Sequence, residues 1–347
     1  MSLQLTKVES PRVAGYEEVW VAKDPDVSYH AIFAVHSTQL GPALGGTRLM
    51  RYADEEAALT DVLRLARGMT YKCAAASIPL GGGKSVILEP PHGYDRAALL
   101  RAHGRVVAAL RGRYITSVDI GTGPVDMVVV RETTTHVTGL PNELGDPSPV
   151  TARGVVRAIE AARYVRTSSR ALNGVRVAIQ GYGHVGKALA EQLRASGARL
   201  VVSDVSNERI EAAAFHCQAD GCVPEEIYDA DVDVYAPCAT GATLNSRTIP
   251  RLRASIVAGA ANNQLETSAD GEALRARGIT YVPDFIANAG GAIYLCRVLA
   301  GWTDAHTDAA VDAIFDSSVE VLRRAETEGI SAQDAAERVV EARLARR

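Results

Sequence analysis

A glycine-rich turn in the second half of the chain most restricts how this sequence can fold. Residues 175–181 (VRVAIQG) are β-rich, residues 181–186 (GYGHVG) form a GxGxxG pattern, and a helix is predicted from His184. Asp204 ends the next predicted strand, 18 residues beyond Gly186. In this context the glycines let a pyrophosphate lie on exposed helix N–H groups, and the acid accepts hydrogen bonds from the adenine ribose. The pattern predicts dinucleotide binding rather than a plain β–α turn, and it favours NAD because Asp204 would repel a 2′-phosphate.

Strands and helices alternate throughout the second half, which predicts a parallel sheet with crossover helices. In the first half we predict strands at 29–37 and 114–119, helices at 55–71, 96–110 and 125–135, and a glycine turn at 41–48. Apolar residues at helical spacing give the first of these helices one buried stripe. Since 347 residues exceed what one core usually serves, we expect two α/β domains. The Gly-, Pro- and Asp-rich segment 139–149 predicts a hinge between them.

Two lysines, Lys72 and Lys84, flank an apolar run and the glycines of residues 81–83. Such glycines permit close approach of backbone to a ligand, and apolar flanks predict partly desolvated ammonium groups. A desolvated lysine beside a second cation has a lowered pKa and can act as a base near neutral pH. The alternative is a glycine turn between a helix and a strand, with two surface lysines. Asp119 lies at the carboxyl end of a predicted strand, which is where the active sites of α/β folds usually lie.

Composition excludes several classes of protein. The net charge of −4 gives no basic field for nucleic acid, and no apolar run approaches the ~20 residues of a membrane span. The N-terminus does not have the pattern of a signal peptide. Five cysteines without a CxxC pair predict reduced thiols in a cytoplasmic enzyme rather than disulfides or a metal site.

Nine segments of the chain, in this order, resemble the amino-acid dehydrogenases, the family of glutamate, leucine, valine, phenylalanine and tryptophan dehydrogenases. The resemblance is nearest to the leucine, phenylalanine and tryptophan branch and covers nearly the whole chain. The segments are GPALGGTR, LARGMTYK, PLGGGKSVI, SVDIGT, DPSPVTARGV, IQGYGHVGKALA, APCATGA, AGAANNQL and PDFIANAGGAI.

The resemblance implies an N-terminal α/β substrate domain and a Rossmann-type NAD domain with a cleft between them. We expect the first to span 1–145, with a C-terminal helix at about 325–347 packing back on it, and the second to span 146–324. It also implies a homo-oligomer, a dimer or an octamer, acting on small molecules. The reaction implied is reversible oxidative deamination, in which an L-amino acid, NAD and water give a 2-oxo acid, ammonia and NADH.

The family's functional residues match positions of this chain. Lys72 matches the lysine that holds the substrate carboxylate, Lys84 the lysine that activates water, and Asp119 the acid that shuttles protons to the amino group. The remaining substrate-binding matches are Leu44, Gly45, Gly46, Met69, Ser117, Asn262, Ala292 and Leu295. The cofactor-binding matches are Thr151, Gly181, Gly183, His184, Val185, Gly186, Asp204, Val205, Pro237, Cys238, Ala239, Asn262 and Asn288. For Thr151 an N-cap role ahead of a helix at 152–163 is an equal expectation, and Cys238 is expected to pack rather than react.

Substrate choice depends on a few of these positions. Glutamate enzymes place a lysine where this chain has Leu44, so an acidic side chain would have no partner. Ala292 and Leu295 are similar to the phenylalanine branch, where leucine enzymes tend to have valines, whereas Ser117 departs from the usual glycine or alanine. We therefore expect a bulky or aromatic substrate, with leucine, valine or tryptophan as alternatives. A catalytically inactive binding homologue and a hydroxy-acid dehydrogenase, which would need a histidine base, are the other hypotheses.

Overall fold

The computed structural model describes residues 3–91, 93–141, 143 and 145–345. The chain forms two compact units. The first unit comprises Met1–Gly145, Val298–Gly301 and Arg343–Arg347, and the second comprises Asp146–Arg297 and Trp302–Ala342. Of the predicted hinge, Asn142 and Leu144 lie outside the described residues, as do the last two residues of the predicted returning helix. The assignment of functions to the two domains stays a prediction.

The first unit is a mixed sheet with helices on both faces. Its strands are β1 (Gln4–Lys7), β2 (Glu18–Asp24), β3 (Tyr29–Ser37), β4 (Ala43–Met50), β5 (Gly81–Leu88) and β6 (Tyr114–Val118), in the order β1-β2-β3-β5-β4-β6. Its helices are α1 (Glu55–Ala75), α2 (Arg96–Ala109) and α3 (Pro124–Arg131). β4 runs parallel to both of its neighbours, β5 and β6, and the pairs from β1 to β5 are antiparallel.

The predicted turn at 41–48 is wrong, because most of this segment forms β4, which lies between β5 and β6 in the sheet. Its glycines serve close packing between strands instead. A Cβ on Gly45 would lie 1.8 Å from the carbonyl oxygen of Gly83, and a Cβ on Gly46 would lie 2.4 Å from that of Val118. The glycine-turn alternative for residues 81–83 is wrong for the same reason, since β5 begins at Gly81.

Helix α1 buries the apolar stripe predicted from its spacing. Asp54 caps the helix by accepting a hydrogen bond of 2.7 Å from the Ala57 N–H. The stripe packs against Ile32, Ala34 and Val86 of β3 and β5, and comprises Ala58, Leu59, Val62, Leu63 and Ala66. Helix α2 covers the other face, where Leu99 and Val106 belong to a cluster with Phe33 and Tyr114. The sheet therefore lies between two apolar layers.

The second unit confirms the predicted alternation. Its elements are α4 (Ser148–Thr167), β7 (Arg176–Gln180), α5 (His184–Ala195), β8 (Arg199–Ser203), α6 (Asn207–Cys217), β9 (Asp220–Cys222), β10 (Val234–Pro237), β11 (Ile256–Val257), α7 (Ser268–Ala276), β12 (Thr280–Tyr281), α8 (Asp284–Ala287), most of α9 (Gly290–Leu299), α10 (Asp304–Asp312), α11 (Ile314–Glu328) and most of α12 (Ala332–Ala345). All strand pairs are parallel, in the order β12-β11-β10-β7-β8-β9. This is the doubly wound order of dinucleotide-binding sheets, with its switch point between β7 and β10.

Among the helices of the described residues, none is both long enough and apolar enough to cross a membrane.

Candidate active site

The candidate catalytic and substrate residues on the strands of the first unit lie on one face of the sheet. The parallel register aligns Leu44 with Gly82 and Gly46 with Ser117. Side chains two residues apart in a strand point to the same face. Because Lys84 follows Gly82 by two residues in β5, it lies on this face as well. Helix α1 packs directly on it: a Cβ on Gly82 would lie 2.0 Å from the backbone nitrogen of Thr70. The glycine therefore lets the helix cover the strand that carries Lys84.

Lys84 is buried and paired. Only 9% of its side chain is exposed, and its Nζ forms an ion pair with Oδ2 of Asp119. Burial disfavours the charged ammonium and lowers the pKa of Lys84, although the Asp119 carboxylate opposes this shift. For Lys84 this is the direction predicted from the apolar flanks. A cation that adds to the shift is Arg48 of β4.

Asp119 follows β6 directly, at the carboxyl end of the strand as predicted. Burial of its side chain favours the neutral acid, but Lys84 and Arg48 outweigh that effect and hold the pKa of Asp119 below its usual value. The Ile120 N–H donates a hydrogen bond of 2.7 Å to Oδ1. The pair can therefore exchange a proton within a shielded environment while the carboxylate stays oriented by backbone.

The remaining predicted substrate residues of the first unit surround this face. Lys72 is half-buried in the last turn of α1, and Met69 lies one turn before it, also half-buried. Leu44 is 1% exposed, so it offers an apolar side chain and no charge. Ser117 is buried as well, and its Oγ lies 2.9 Å from the Cβ position of Gly139.

The opposite face of the same strands carries a buried network of hydroxyl groups. Thr47 Oγ1 lies 2.9 Å from Ser85 Oγ and 2.8 Å from Nε2 of His103 on α2. Tyr114 donates a hydrogen bond of 2.7 Å from its hydroxyl to the Gly45 carbonyl and lies 3.1 Å from Ser85 Oγ. The network thus fixes the backbone of the two strands whose other face holds Lys84. No sequence pattern indicated it, because its members are single polar residues in separate elements.

In the second unit the three glycines of the GxGxxG turn have three different surroundings. Gly181 has a φ of 97°, which favours glycine, and a Cβ on Gly186 would lie 2.0 Å from the Gly181 carbonyl oxygen. Gly183 precedes the first residue of α5, and a Cβ there would meet nothing within 4 Å. The first glycine forms the turn, the third packs the helix, and the second leaves open space at a helix N-terminus. This fits a bound pyrophosphate.

Asp204 joins this turn from the end of β8. Its Oδ2 accepts a hydrogen bond of 2.7 Å from the Tyr182 N–H, and its Oδ1 accepts one of 3.0 Å from the Ser206 N–H. Although burial opposes it, these donors lower the pKa of Asp204 and keep it ionised. Arg209 Nη1 lies 3.5 Å from Oδ1. Of the other turn positions, His184 and Val205 are exposed and Val185 is half-buried.

A second polar cluster joins the end of α8 to the loop that follows β11. The Asn288 amide donates hydrogen bonds to Asn262 Oδ1 at 2.9 Å and to the Ala260 carbonyl at 3.1 Å. Asn288 Oδ1 is buried and makes no hydrogen bond within the described chain. A buried acceptor without a donor is costly, so this oxygen is suited to an amide N–H of a ligand. A carboxamide such as that of nicotinamide would supply one.

Thr151 lies beside this cluster, but its predicted N-cap role is wrong. Helix α4 begins at Ser148, so Thr151 is its fourth residue, and its Oγ1 donates to the Pro147 carbonyl at 3.0 Å. That oxygen also lies 3.0 Å from the Cβ position of Gly291 at the start of α9. Pro149 inside the first turn allows the earlier start, since a proline costs a helix nothing there.

The remaining predicted residues lie at the ends of β10 and on α9. Pro237 is buried and Ala239 is exposed, with its Cβ 2.8 Å from the Cβ position of Gly181. Burial raises the pKa of the Cys238 thiol to about 12, so it stays protonated and packs rather than reacts. Ala292 is buried and Leu295 half-buried, one helical turn apart on α9. In the part of the chain described here, no group of three or more His, Cys, Asp or Glu side chains could hold a metal ion.

The second unit is Rossmann-type and has a dinucleotide turn, and the first is an α/β unit with a buried lysine–aspartate pair. This combination is typical of a two-domain dehydrogenase. Comparison with known proteins agrees. Residues 17–136 match the family model of the Glu/Leu/Phe/Val dehydrogenase dimerisation domain, and residues 202–346 match that of glutamate/leucine/phenylalanine/valine dehydrogenase. The chain belongs to this family.

Relatives cover nearly all of the chain. Leucine dehydrogenase of Bacillus cereus is 44% identical over 95% of this chain and 91% of its own length. Phenylalanine dehydrogenase of Caldalkalibacillus thermarum is 40% identical over 99% of this chain and 95% of its own length. The crystal structure of L-tryptophan dehydrogenase from Nostoc punctiforme matches with a TM-score of 0.86 at 42% identity, covering 96% of this chain and 97% of that one. The protein is an NAD(P)-dependent amino-acid dehydrogenase of the leucine, tryptophan and phenylalanine type, with that family's two-domain α/β fold.

Proposed function

We propose that the protein catalyses the reversible, NAD-dependent oxidative deamination of a hydrophobic L-amino acid to the 2-oxo acid, ammonia and NADH. The observation that carries this proposal is the buried ion pair of Lys84 and Asp119 on the α1 face of the first unit. A lysine whose pKa is lowered by burial is a usable base at moderate pH, and the adjacent carboxylate can take and return a proton. An inactive binding homologue would have no need of such a pair.

Each residue of the proposed machinery has one task. Lys72 binds the substrate carboxylate with a charge-assisted contact. When bound, the nicotinamide would supply the acceptor for the hydride that leaves the substrate α-carbon. Lys84, in its neutral form, removes a proton from the water that attacks the resulting imine carbon. Asp119 takes up and returns the protons of the leaving amino group.

NAD is the proposed cofactor because Asp204 is ionised and held at the dinucleotide turn. Each carboxylate oxygen has a second lone pair that a ribose hydroxyl can use. A 2′-phosphate would bring a like charge to the same place. The open space at Gly183 and the unpartnered Asn288 Oδ1 support pyrophosphate and carboxamide binding, respectively.

For the substrate we propose a bulky apolar amino acid, with phenylalanine first. Leu44 places an apolar, buried side chain where an acidic substrate would need a cation, which argues against glutamate. The small Ala292 favours an aromatic side chain. The leucine and tryptophan dehydrogenases among the relatives keep those two amino acids as the second candidates.

A substrate panel tests this proposal. We expect NADH formation at alkaline pH with hydrophobic L-amino acids, and NADH consumption with the matching 2-oxo acids plus ammonia. Lys84→Ala should lower kcat by about 10²–10⁴-fold, the usual cost of losing a general base. Lys7→Ala, at an exposed lysine of β1, is the matched control and should leave kcat unchanged. Absence of turnover with every amino acid would refute the activity, and near-normal turnover of Lys84→Ala would refute its role.

We also propose that the protein is a homo-oligomer, a dimer or an octamer. The support is the match of residues 17–136 to a model described as a dimerisation domain. Light scattering coupled to size-exclusion chromatography measures the mass directly, and a monomer at micromolar concentration would contradict the proposal.

A further inference from the structure

Arg48 of β4 reaches the same carboxylate oxygen as Lys84. Its Nε lies 3.5 Å from Oδ2 of Asp119, the oxygen that Lys84 contacts. Only 15% of the Arg48 side chain is exposed, so this charge is not a solvated surface arginine. Two cations from neighbouring strands therefore share one oxygen of the proposed proton carrier.

A second carboxylate holds the arginine from the other side. Arg48 Nη1 donates a hydrogen bond of 2.9 Å to Oδ2 of Asp61 on α1. The Tyr52 hydroxyl donates one of 2.7 Å to the same oxygen. Although its burial opposes the charge, the two carboxylates raise the pKa of Arg48, so the guanidinium stays charged at every pH used for assays. Its charge and position are thus both fixed.

We propose that Arg48 is a positioning residue of the reaction, which holds the Asp119 carboxylate beside Lys84. This inference rests on the proposed function only for its kinetic readout. Arg48 draws part of the Asp119 charge away from Lys84, so the ammonium loses its proton more readily than it would in an isolated ion pair. Asp61 in turn limits how strongly Arg48 acts.

The sign of each perturbation follows from the charges that face Lys84. Among the described residues, those with the largest effect are Asp119 after β6, Arg48 on β4 and Asp61 on α1; the two carboxylates raise the pKa of Lys84 and Arg48 lowers it. Removing Arg48 should therefore raise the pKa of Lys84. Removing the charge of Asp61 should lower it. Damage to packing alone predicts no such opposition.

The experiment compares the pH dependence of kcat/KM in three test variants and one control variant with that of the wild type. Because Lys84 must be neutral to act as a base, its pKa sets the acid limb of the profile. Arg48→Met should move this limb up by about one pH unit, a tenfold loss of rate on the acid side. Asp61→Asn should move it down, while the charge-conserving Arg48→Lys should keep it near the wild-type position. Arg51→Met is the control, because Arg51 is 71% exposed and pairs with Glu89.

A second readout needs no catalysis. The chain has five lysines, so the reactivity of Lys84 towards acetic anhydride against pH can be followed by peptide mass spectrometry. Opposite shifts for Arg48→Met and Asp61→Asn support the inference by either readout. Shifts in one direction, or none, overturn it. If the wild type turns over no amino acid, the proposed function fails and the labelling profile alone decides the role of Arg48.

Discussion

Replacing Gly183 by alanine should separate cofactor binding from folding. Gly183 has a φ of −76° and a ψ of −166°, which any residue can adopt, and a Cβ there would meet nothing within 4 Å. Gly183 is the N-cap of α5 and has no side chain, so its substitution removes no capping hydrogen bond. We therefore expect Gly183→Ala to cost at most about 1 kcal/mol of unfolding free energy, the scale of a change at an N-cap.

The cost to the cofactor should be larger. The new methyl group would stand in the open space through which a pyrophosphate approaches the N–H groups of α5. We expect NADH to bind at least tenfold more weakly, which corresponds to about 1.4 kcal/mol. At saturating cofactor kcat should stay close to the wild-type value, because neither Lys84 nor Asp119 is altered.

Gly186→Ala is the matched comparison in the same turn. Its Cβ would lie 2.0 Å from the Gly181 carbonyl oxygen, a backbone atom that cannot rotate away. Overpacking of this kind typically costs about 1–3 kcal/mol. Fluorescence titration with NADH and urea unfolding measure both quantities for both variants. If Gly183→Ala binds NADH as tightly as the wild type, the pyrophosphate does not lie at this glycine and the cofactor assignment is refuted.

Other changes test cofactor choice, substrate choice and acid stability. Asp204→Ser should raise kcat/KM for NADP relative to NAD at least tenfold, because it removes the repelling carboxylate and leaves Arg209 to bind a 2′-phosphate. An unchanged ratio of the two kcat/KM values would contradict this. The double variant with Ala292→Val and Leu295→Val should change the ratio of kcat/KM for phenylalanine and leucine by tens-fold in favour of leucine. This lies within the range of about 1–3 kcal/mol for discrimination by one methylene group. A wild type that already prefers leucine would contradict the prediction. Burial lowers the pKa of His103 to about 3 from its ordinary 6.5, so between these values the unfolded chain binds a proton that the folded chain does not. The unfolding free energy should fall by up to about 1.4 kcal/mol per pH unit as the pH drops through this window, and less steeply in His103→Gln. Urea unfolding at several pH values measures both slopes, and equal slopes for the wild type and the variant would contradict the prediction.

Local patterns along the chain determine much of the fold. The predicted strand at 29–37 coincides with β3, and the apolar stripe of α1 is buried as its spacing required. The GxGxxG turn and Asp204 come together in the second unit because both follow parallel strands. These features need only short-range information: a period of two or 3.6 residues, a glycine turn, and a residue at a strand end.

Contacts between distant strands decided the rest. The glycines of 45–46 and 81–83 carry the same local signal as a turn, yet they form strands, because their lack of Cβ atoms lets β4, β5 and α1 approach one another. Lys84 was predicted to have a lowered pKa, but the cation that assists, Arg48, lies far from both Lys84 and Asp119 in the sequence. Burial and Coulomb interactions depend on distance in space and on the removal of water. A linear pattern could therefore predict that Lys84 and Asp119 matter, whereas only the packed sheet determined which groups tune them.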